Sequence, residues 1–274
     1  MIPFDTASQR YFSLLEELRQ AVIVTDTEGQ VLRWSTTAEG LYGWSVAEAV
    51  GQNVLRLTPT DQTREEAAGI MSALSEGKVW SGTFGVRTRD GRPFPACVTD
   101  VPVLDDRQMV IGIVGASSVS DAPVPVATTL LRFAKACDTV WPQRVRLEVE
   151  HAPEGMLTVS EPYVLHLLSL LTVRYAEALE GKTVLDVYVG KADESAFEEF
   201  NVDRMPDSVY IRIRERHAQP RFSLLRDEVR AARPSNFAGS LVRTIGGALL
   251  VESSAGSQII HLLLPVQPRS QLVE

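Results

Sequence analysis

The chain has 274 residues, of which 45% are apolar, and a formal net charge of −8. This length suits two domains of ordinary size, and an acidic chain without a basic cluster lacks what phosphate binding needs, so we expect no nucleic-acid partner. Its two cysteines, Cys97 and Cys137, form no CxxC pattern, which indicates a reducing compartment and no metal site. Without a secretion signal or an apolar run of about 20 residues, we expect a cytoplasmic protein with no membrane contact.

The N-terminal half begins with apolar residues at helical spacing, Phe12, Leu14, Leu15 and Leu18, which predict a first helix. A β-branched run, a turn and a second apolar run follow, so residues 21–35 are predicted to form a β-hairpin. Beyond the hairpin, turn and capping patterns predict three helices and then three strands. The helices are predicted at 37–42, at 45–50 with Ser45 as N-cap, and at 62–76 with Asp61 as cap. The strands are predicted at 80–89, 94–104 and 110–119.

This order of elements resembles a PAS domain, and so do four local patterns. They are the Gly43-Trp44-Ser45 step, the Glu48 and Gly51 pair, the Trp80-Ser81-Gly82 start and the Asp90-Gly91 turn. The resemblance covers residues 8–120. It implies a curved five-stranded antiparallel sheet with short helices, cupped around a ligand or around an apolar core.

The ligands of known PAS domains depend on particular residues, which can be looked for in this sequence. Photoactive flavin members carry a cysteine in a G-x-N-C step, which here reads Gly51-Gln52-Asn53-Val54, so adduct chemistry is excluded. Haem members place a histidine on the long helix, and 62–76 contains none. A non-covalent flavin or another small ligand would use Trp34, Asn53 and Trp80. The preferred interpretation is an apolar core without a cofactor that serves dimerisation and relay.

Residues 121–143 are interpreted as a helical connector. Two prolines open it, and a helix is predicted at 126–140 with apolar positions at Leu130, Phe133, Ala134 and Cys137. We expect a homodimer, because neither this stripe nor the one on the first helix has an obvious partner within its own short helix. The connector contains no histidine.

Residues 144–266 predict an α/β sandwich with one mixed sheet under helices. The stretch Leu241–Pro265, with its Gly246-Gly247 turn and its Glu252-Ser253 strand, resembles the end of the ATP-binding (GHKL) domain of sensor histidine kinases. The phospho-accepting histidine of that family has no counterpart in the connector. The resemblance therefore implies the kinase fold without autophosphorylation.

The positions that hold magnesium and ATP in that family depart from its pattern. The magnesium asparagine is replaced by Val173, in a helix that also carries Ser169, and a valine cannot coordinate a hard cation. Glu215 keeps a carboxylate where the family reads adenine, but the following loop, with His217, lacks both glycines. The phosphate lid retains one glycine, Gly239, followed by Ser240, which is weak evidence for phosphate binding. We therefore expect no magnesium-ATP binding.

The sequence thus predicts an α+β signal-transduction protein with a PAS module and a degenerate kinase domain that acts by protein contact. The expected partner is a response regulator, a kinase or a sigma-factor regulator. Two alternatives stay open, an atypical ATP-dependent histidine or anti-sigma-factor-type kinase and a PAS sensor of a small ligand such as flavin. Outside these patterns, Cys97 is expected to be structural, His166 packed or half-exposed, and His261 outward-facing.

Overall fold

The computed structural model describes residues 6–105, 107, 109–119, 124–142, 145–149, 155–158, 161–178, 185–191, 208–215, 242, 247–254 and 257–267. The chain divides into two compact units. One comprises Met1–Ala122 and Pro162–His166, and the other comprises Pro123–Glu161 and Leu167–Glu274. None of the helices in the described ranges is long and apolar enough to cross a membrane.

In the described residues between 6 and 119, the first unit contains five helices and five strands, in the order that the sequence predicts apart from one additional short helix at Val54–Leu57. They are α1 (Thr6–Glu17), β1 (Ala21–Thr25), β2 (Val31–Trp34), α2 (Thr36–Tyr42), α3 (Val46–Ala49), α4 (Val54–Leu57), α5 (Arg64–Ser75), β3 (Trp80–Arg87), β4 (Pro93–Leu104) and β5 (Val110–Ser118).

The five strands form one antiparallel sheet in the order β2-β1-β5-β4-β3. The predicted hairpin is confirmed, since Ile23 pairs with Trp34 across β1 and β2. Because side chains alternate along each strand, one face of the sheet carries an apolar set that the short helices cover. Ala96 and Val98 lie on this inner face of β4, whereas Cys97 between them is buried on the opposite face.

Local capping explains where the short helices begin and end. The Ser35 hydroxyl accepts a hydrogen bond from the Ala38 amide at the start of α2, and Gly43 ends that helix with a positive φ of 78°. The predicted cap of α3 is confirmed, because the Glu48 carboxylate accepts from the Ser45 amide at 3.1 Å.

The predicted cap of the long helix is wrong. Thr63, not Asp61, occupies the N-cap position of α5. Thr63 forms a turn with Thr60, whose amide donates to the Thr63 hydroxyl at 3.1 Å. Asp61 is exposed and pairs with Arg64 at 2.7 Å. A threonine turn therefore sets the start of this helix, and the nearby aspartate serves a surface ion pair.

The apolar stripe of α1 lies inside the monomer. Leu14 and Leu15 are fully buried, Leu18 is 1% exposed and Phe12 is 8% exposed. The expectation of a homodimer rests on this stripe having no partner within its own short helix. Their burial within one chain removes that argument for a homodimer.

The second unit is built from two helices and six strands in its described ranges, except that residues Pro162–His166 of its second helix are grouped with the first unit. They are α6 (Val126–Val140), β6 (Val145–Val149), β7 (Met156–Leu157), α7 (Glu161–Ala178), β8 (Leu185–Lys191), β9 (Ser208–Glu215), β10 (Ala248–Ser254) and β11 (Ser257–Gln267). The main sheet has the order β10-β11-β9-β8-β6. It is mixed, since β6 and β8 run parallel and the other pairs are antiparallel.

The helix of the predicted connector, α6, is grouped with this second unit. Its stripe is buried as well, with Leu130 at 1% and Phe133 at 0% exposed. At the start of α7, the Glu161 carboxylate accepts from the Thr129 hydroxyl at 3.0 Å and pairs with Arg132. The second apolar stripe is therefore covered within the chain, and it too gives no reason to expect a dimer.

Candidate ligand-binding site

A cavity of about 80 Å³ lies in the first unit between the inner face of the sheet and the helices α2, α4 and α5. Its wall is mostly apolar, with Ile23, Trp80, Phe84 and Ile113 on the sheet side and Met71 on the helix side. One water molecule needs roughly 10–15 Å³, and an apolar cavity of about 150 Å³ binds benzene. The space therefore suits a compact molecule of a few heavy atoms.

The sheet contributes a polar patch to this apolar wall. Asp100 lies on the cavity wall at the β4 position that pairs with Gly115 of β5. The Asp100 carboxyl group has no hydrogen-bond or ion-pair partner among the described residues. The Thr25 hydroxyl, from another lining residue, is buried and also has no hydrogen-bond partner in the described part of the chain.

Tyr42 and Ser117 form a satisfied polar pair beside this patch. Their hydroxyl groups lie 2.8 Å apart, and the Ser117 hydroxyl also donates to the Ala21 carbonyl at 3.3 Å. Buried polar groups in folded proteins are normally paired in this way. Asp100 and Thr25 depart from that rule at a place where the wall is open to a ligand.

The protonation of the patch follows from its environment. Burial raises the pKa of Asp100 to about 7, because an apolar surrounding disfavours the charged form. Burial also raises the pKa of Tyr42, and the charge of Asp100 adds to that rise. At neutral pH the carboxyl group is therefore balanced between its neutral and charged forms, while the phenol stays neutral.

The three residues predicted to hold a cup ligand are not brought together. Trp80 lines the cavity. Trp34 is buried in the core, where its indole nitrogen donates to the Trp44 carbonyl at 3.0 Å. The Asn53 amide is occupied by the backbone, accepting from Leu55 and donating to the Glu28 carbonyl at 2.9 Å. Only Trp80 of the three therefore faces the candidate site.

Asp100 is the residue that sequence reasoning missed. The apolar positions Phe94, Ala96 and Val98 alternate along β4, and Asp100 continues the same register. An acidic residue in phase with an apolar face is a detectable signal, since side chains two apart in a strand share a face. The sequence alone does not show that Asp100 lies opposite Gly115, a residue without a side chain.

Val54, which stands where photoactive flavin members carry their cysteine, lines the cavity. Helix α5, which closes the other side, contains no histidine. Neither cysteine is among the residues that line the cavity, since Cys97 lies on the opposite face of the sheet and Cys137 is buried in α6. Neither thiol adduct formation nor histidine ligation is therefore available from these elements.

The predicted nucleotide-site positions of the second unit are dispersed or undescribed. Ser169 and Val173 lie one turn apart on α7 and are buried, at 0% and 4% exposure. Glu215 is the last residue of β9. His217, Gly239 and Ser240 lie outside the described residues. Of these positions, only Ser169 and Val173 are neighbours among the described residues.

Two histidines can be compared with the sequence predictions. His166 is packed as expected, with no exposed surface, and burial lowers its pKa to about 3. The prediction for His261 is wrong, because it is 5% exposed. Its Nδ1 lies 2.6 Å from the Tyr210 hydroxyl, and this hydrogen bond explains why a histidine is buried in β11.

Comparison with known proteins identifies the first unit. A family model described as the PAS fold matches residues 9–117, so this part of the chain is a PAS domain. The sensor protein FixL of Bradyrhizobium diazoefficiens is 35% identical over 91 residues, which cover 30% of this chain and 17% of FixL. Phototropin-2 of Oryza sativa subsp. japonica is 31% identical over 111 residues, covering 39% of this chain and 12% of phototropin-2.

Solved structures include the PAS domain of a protein from Colwellia psychrerythraea, at 25% identity and a TM-score of 0.38, covering 42% of this chain and 98% of that one. Another is the Erythrobacter litoralis EL346 blue-light activated histidine kinase, at 13% identity and a TM-score of 0.44, covering 92% of this chain and 96% of that one. The chain spans less than a fifth of the length of the two curated relatives. The part shared with the curated relatives lies within the PAS domain.

Proposed function

We propose that the chain is a signal-transduction protein whose PAS domain senses a compact ligand in its central cavity. The observation that carries the proposal is the cavity itself, an apolar space of about 80 Å³ with unpaired polar groups of Asp100 and Thr25 at its wall. Ligand sites in proteins have this composition, mostly apolar with a few convergent polar groups. The size favours a small molecule over a three-ring flavin.

The output is proposed to be protein contact by the C-terminal unit rather than phosphotransfer. Val173, at the position of the magnesium ligand in the resembled kinases, is apolar and 4% exposed. Such a side chain offers no oxygen to a divalent cation. A response regulator, a kinase or a sigma-factor regulator remains the expected class of partner. The alternative of an ATP-dependent kinase is tested by adding magnesium-ATP and measuring the melting temperature.

Ligand sensing is tested by denaturing the purified full-length protein and analysing the released small molecules by mass spectrometry. Hydrogen exchange of the same protein, before and after removal of the ligand, then reports whether the C-terminal unit responds. We expect a released molecule of low mass and a change in exchange that extends beyond the PAS domain. A protein that releases nothing and binds no compact ligand would contradict the proposal.

A further inference from the structure

We propose that the PAS cavity takes a compact organic cation with N–H donors, of the amidinium or primary ammonium class, held by the Asp100 carboxylate. This inference rests on the proposed ligand-sensing function and narrows it to one ligand chemistry. It follows from three features of the cavity wall, namely an unpaired acid, space made for that acid and aromatic surfaces beside it.

The first feature is the unpaired acid. An isolated carboxyl group at an apolar wall is unfavourable, and buried charges in proteins are normally paired. Asp100 has no partner among the described residues, and of the residues that line the cavity only Tyr42 also titrates. The Tyr42 hydroxyl is already engaged by Ser117. A positively charged donor from outside would supply what the wall lacks.

The second feature is the space made for this acid. Gly115 pairs with Asp100 across β4 and β5, and a Cβ at Gly115 would collide with Asp100 Oδ1. Gly115 does not have a positive φ, so its backbone conformation is open to any residue. Gly115 is therefore explained by the space that the Asp100 carboxylate occupies, and not by the needs of a turn.

The third feature is the chemistry of the surrounding wall. Trp80 and Phe84 offer aromatic surface, which attracts cations, and the free Thr25 hydroxyl offers one further acceptor. A carboxylate binds an amidinium through two parallel N–H bonds, which are stronger than neutral hydrogen bonds. A hard metal ion is disfavoured, because it needs several oxygen ligands and the described residues hold no acidic or histidine cluster for one.

The test uses two probes of nearly the same shape, acetamidine, which is a cation in water, and acetamide, which is neutral. Calorimetric titration of the full-length protein at pH above 7, the pKa of Asp100, is expected to show about a tenfold preference for acetamidinium. The affinity for acetamidinium should fall about tenfold per pH unit below that value, since the proton competes with the cation.

Asp100→Asn keeps the shape and removes the charge, and it is expected to bring the two affinities to within about twofold of one another. Asp61→Asn is the matched control, because Asp61 is an exposed acid on the surface, with a side chain 82% exposed. It should leave the preference unchanged. The melting temperature of each variant, measured without probe, shows that the binding results come from folded protein.

The outcomes separate this inference from the proposed function. Equal binding of acetamide and acetamidinium by the unmodified protein overturns the cation inference and leaves a ligand-sensing cavity. An acetamidinium preference that survives Asp100→Asn overturns the assignment to Asp100. Failure of both probes to bind overturns the inference and removes the support that it lends to ligand sensing.

Discussion

Gly115 lies directly opposite Asp100 in the antiparallel pairing of β4 and β5, and its missing side chain is what accommodates the Asp100 carboxylate at the cavity wall. The pair explains two otherwise separate facts. The first is that Gly115 is a glycine although its backbone conformation would allow any residue. The second is that Asp100, an acidic residue, lies on an apolar face of the sheet. The two residues should therefore behave as one unit when either is changed.

Gly115→Ala is expected to move the Asp100 carboxylate and to weaken acetamidinium binding. Because the side chain that gives way is flexible, the loss in free energy of unfolding should be modest, about 1 kcal/mol. In an Asp100→Ala background the same change should cost less, so that the two substitutions are non-additive by about 0.5 kcal/mol or more. Urea unfolding of the two single variants and the double variant measures this coupling.

Gly69→Ala is the control for this prediction. Gly69 lies within α5, and a Cβ there meets nothing within 4 Å. An alanine in an open helical position should stabilise the protein by roughly 0.5–1 kcal/mol. If Gly115→Ala behaved like Gly69→Ala and bound acetamidinium normally, the assignment of Gly115 to the carboxylate would be wrong.

Asp100 should also make the stability of the protein depend on pH. Its pKa is about 7 in the folded state against an ordinary value of 3.8, so the folded state holds the proton more tightly. The resulting stability is complete below the ordinary value and is lost as the pH rises to about 7. A shift of this size corresponds to up to about 4 kcal/mol, since one pKa unit is about 1.4 kcal/mol.

Asp100→Asn removes this titration. The variant should be more stable than the unmodified protein above pH 7, and the difference should shrink as the pH falls towards 3.8. Urea unfolding across that range measures both proteins. A stability difference that stayed constant over the whole window would show that Asp100 is not held in an apolar environment.

Local patterns were sufficient to predict most elements of the PAS domain. The alternation in β1 to β5 and the Ser45 cap depend on neighbours in the sequence, and the structure confirms them. The cap of α5 was missed because Asp61 and Thr63 are both good capping residues, and the hydrogen bond from Thr63 to the Gly85 carbonyl decides between them. That contact is not local, so the sequence did not reveal it.

The candidate site was harder to predict than the fold. Trp34 and Asn53 were chosen by residue type, but each is already engaged with the backbone. The alternation along β4 places Asp100 on the apolar face, but the space for its carboxylate depends on Gly115, 15 positions away in the sequence. Burial of the α1 and α6 stripes is likewise a tertiary property that helical spacing does not contain.

The α6 stripe can be tested with two adjacent leucines. Leu130 is 1% exposed and Leu131 is 64% exposed. Leu130→Asp places an unpaired charge in the core and should cost more than about 3 kcal/mol, whereas Leu131→Asp should stay within about 0.5 kcal/mol. Thermal unfolding followed by circular dichroism compares them.

Light scattering on the same samples tests the homodimer expectation that came from this stripe. If Leu130→Asp gave a folded monomer with an unchanged melting temperature while the unmodified protein was a dimer, the stripe would be an interface after all. Leu15→Asp applies the same logic to α1, where Leu15 is fully buried. We expect it to destabilise the fold rather than to separate two folded copies.

The expectation that the C-terminal unit has no kinase chemistry is tested with nucleotide. Millimolar ATP with magnesium should leave the melting temperature of the unmodified protein unchanged, because a ligand stabilises in proportion to the logarithm of its concentration over its dissociation constant. Val173 offers no metal ligand, and losing a metal-bridged triphosphate contact costs several factors of ten in affinity, each about 1.4 kcal/mol. A magnesium-dependent rise of several degrees would favour the ATP-dependent alternative.

Val173→Asn restores the asparagine that holds magnesium in the resembled kinases and tests whether this one change allows nucleotide binding. Val173 is 4% exposed, so an asparagine there buries an amide and should cost about 1–3 kcal/mol unless it finds a partner. The variant should therefore have a lower melting temperature than the unmodified protein and should not gain stability from magnesium-ATP.

Val173→Ala controls for the change in packing, because it removes two methyl groups without adding a polar group. If magnesium-ATP raised the melting temperature of Val173→Asn but not of Val173→Ala, the helix would be only one substitution from a working metal site. The departures from the family pattern in the adenine loop and the phosphate lid would then not be what prevents nucleotide binding.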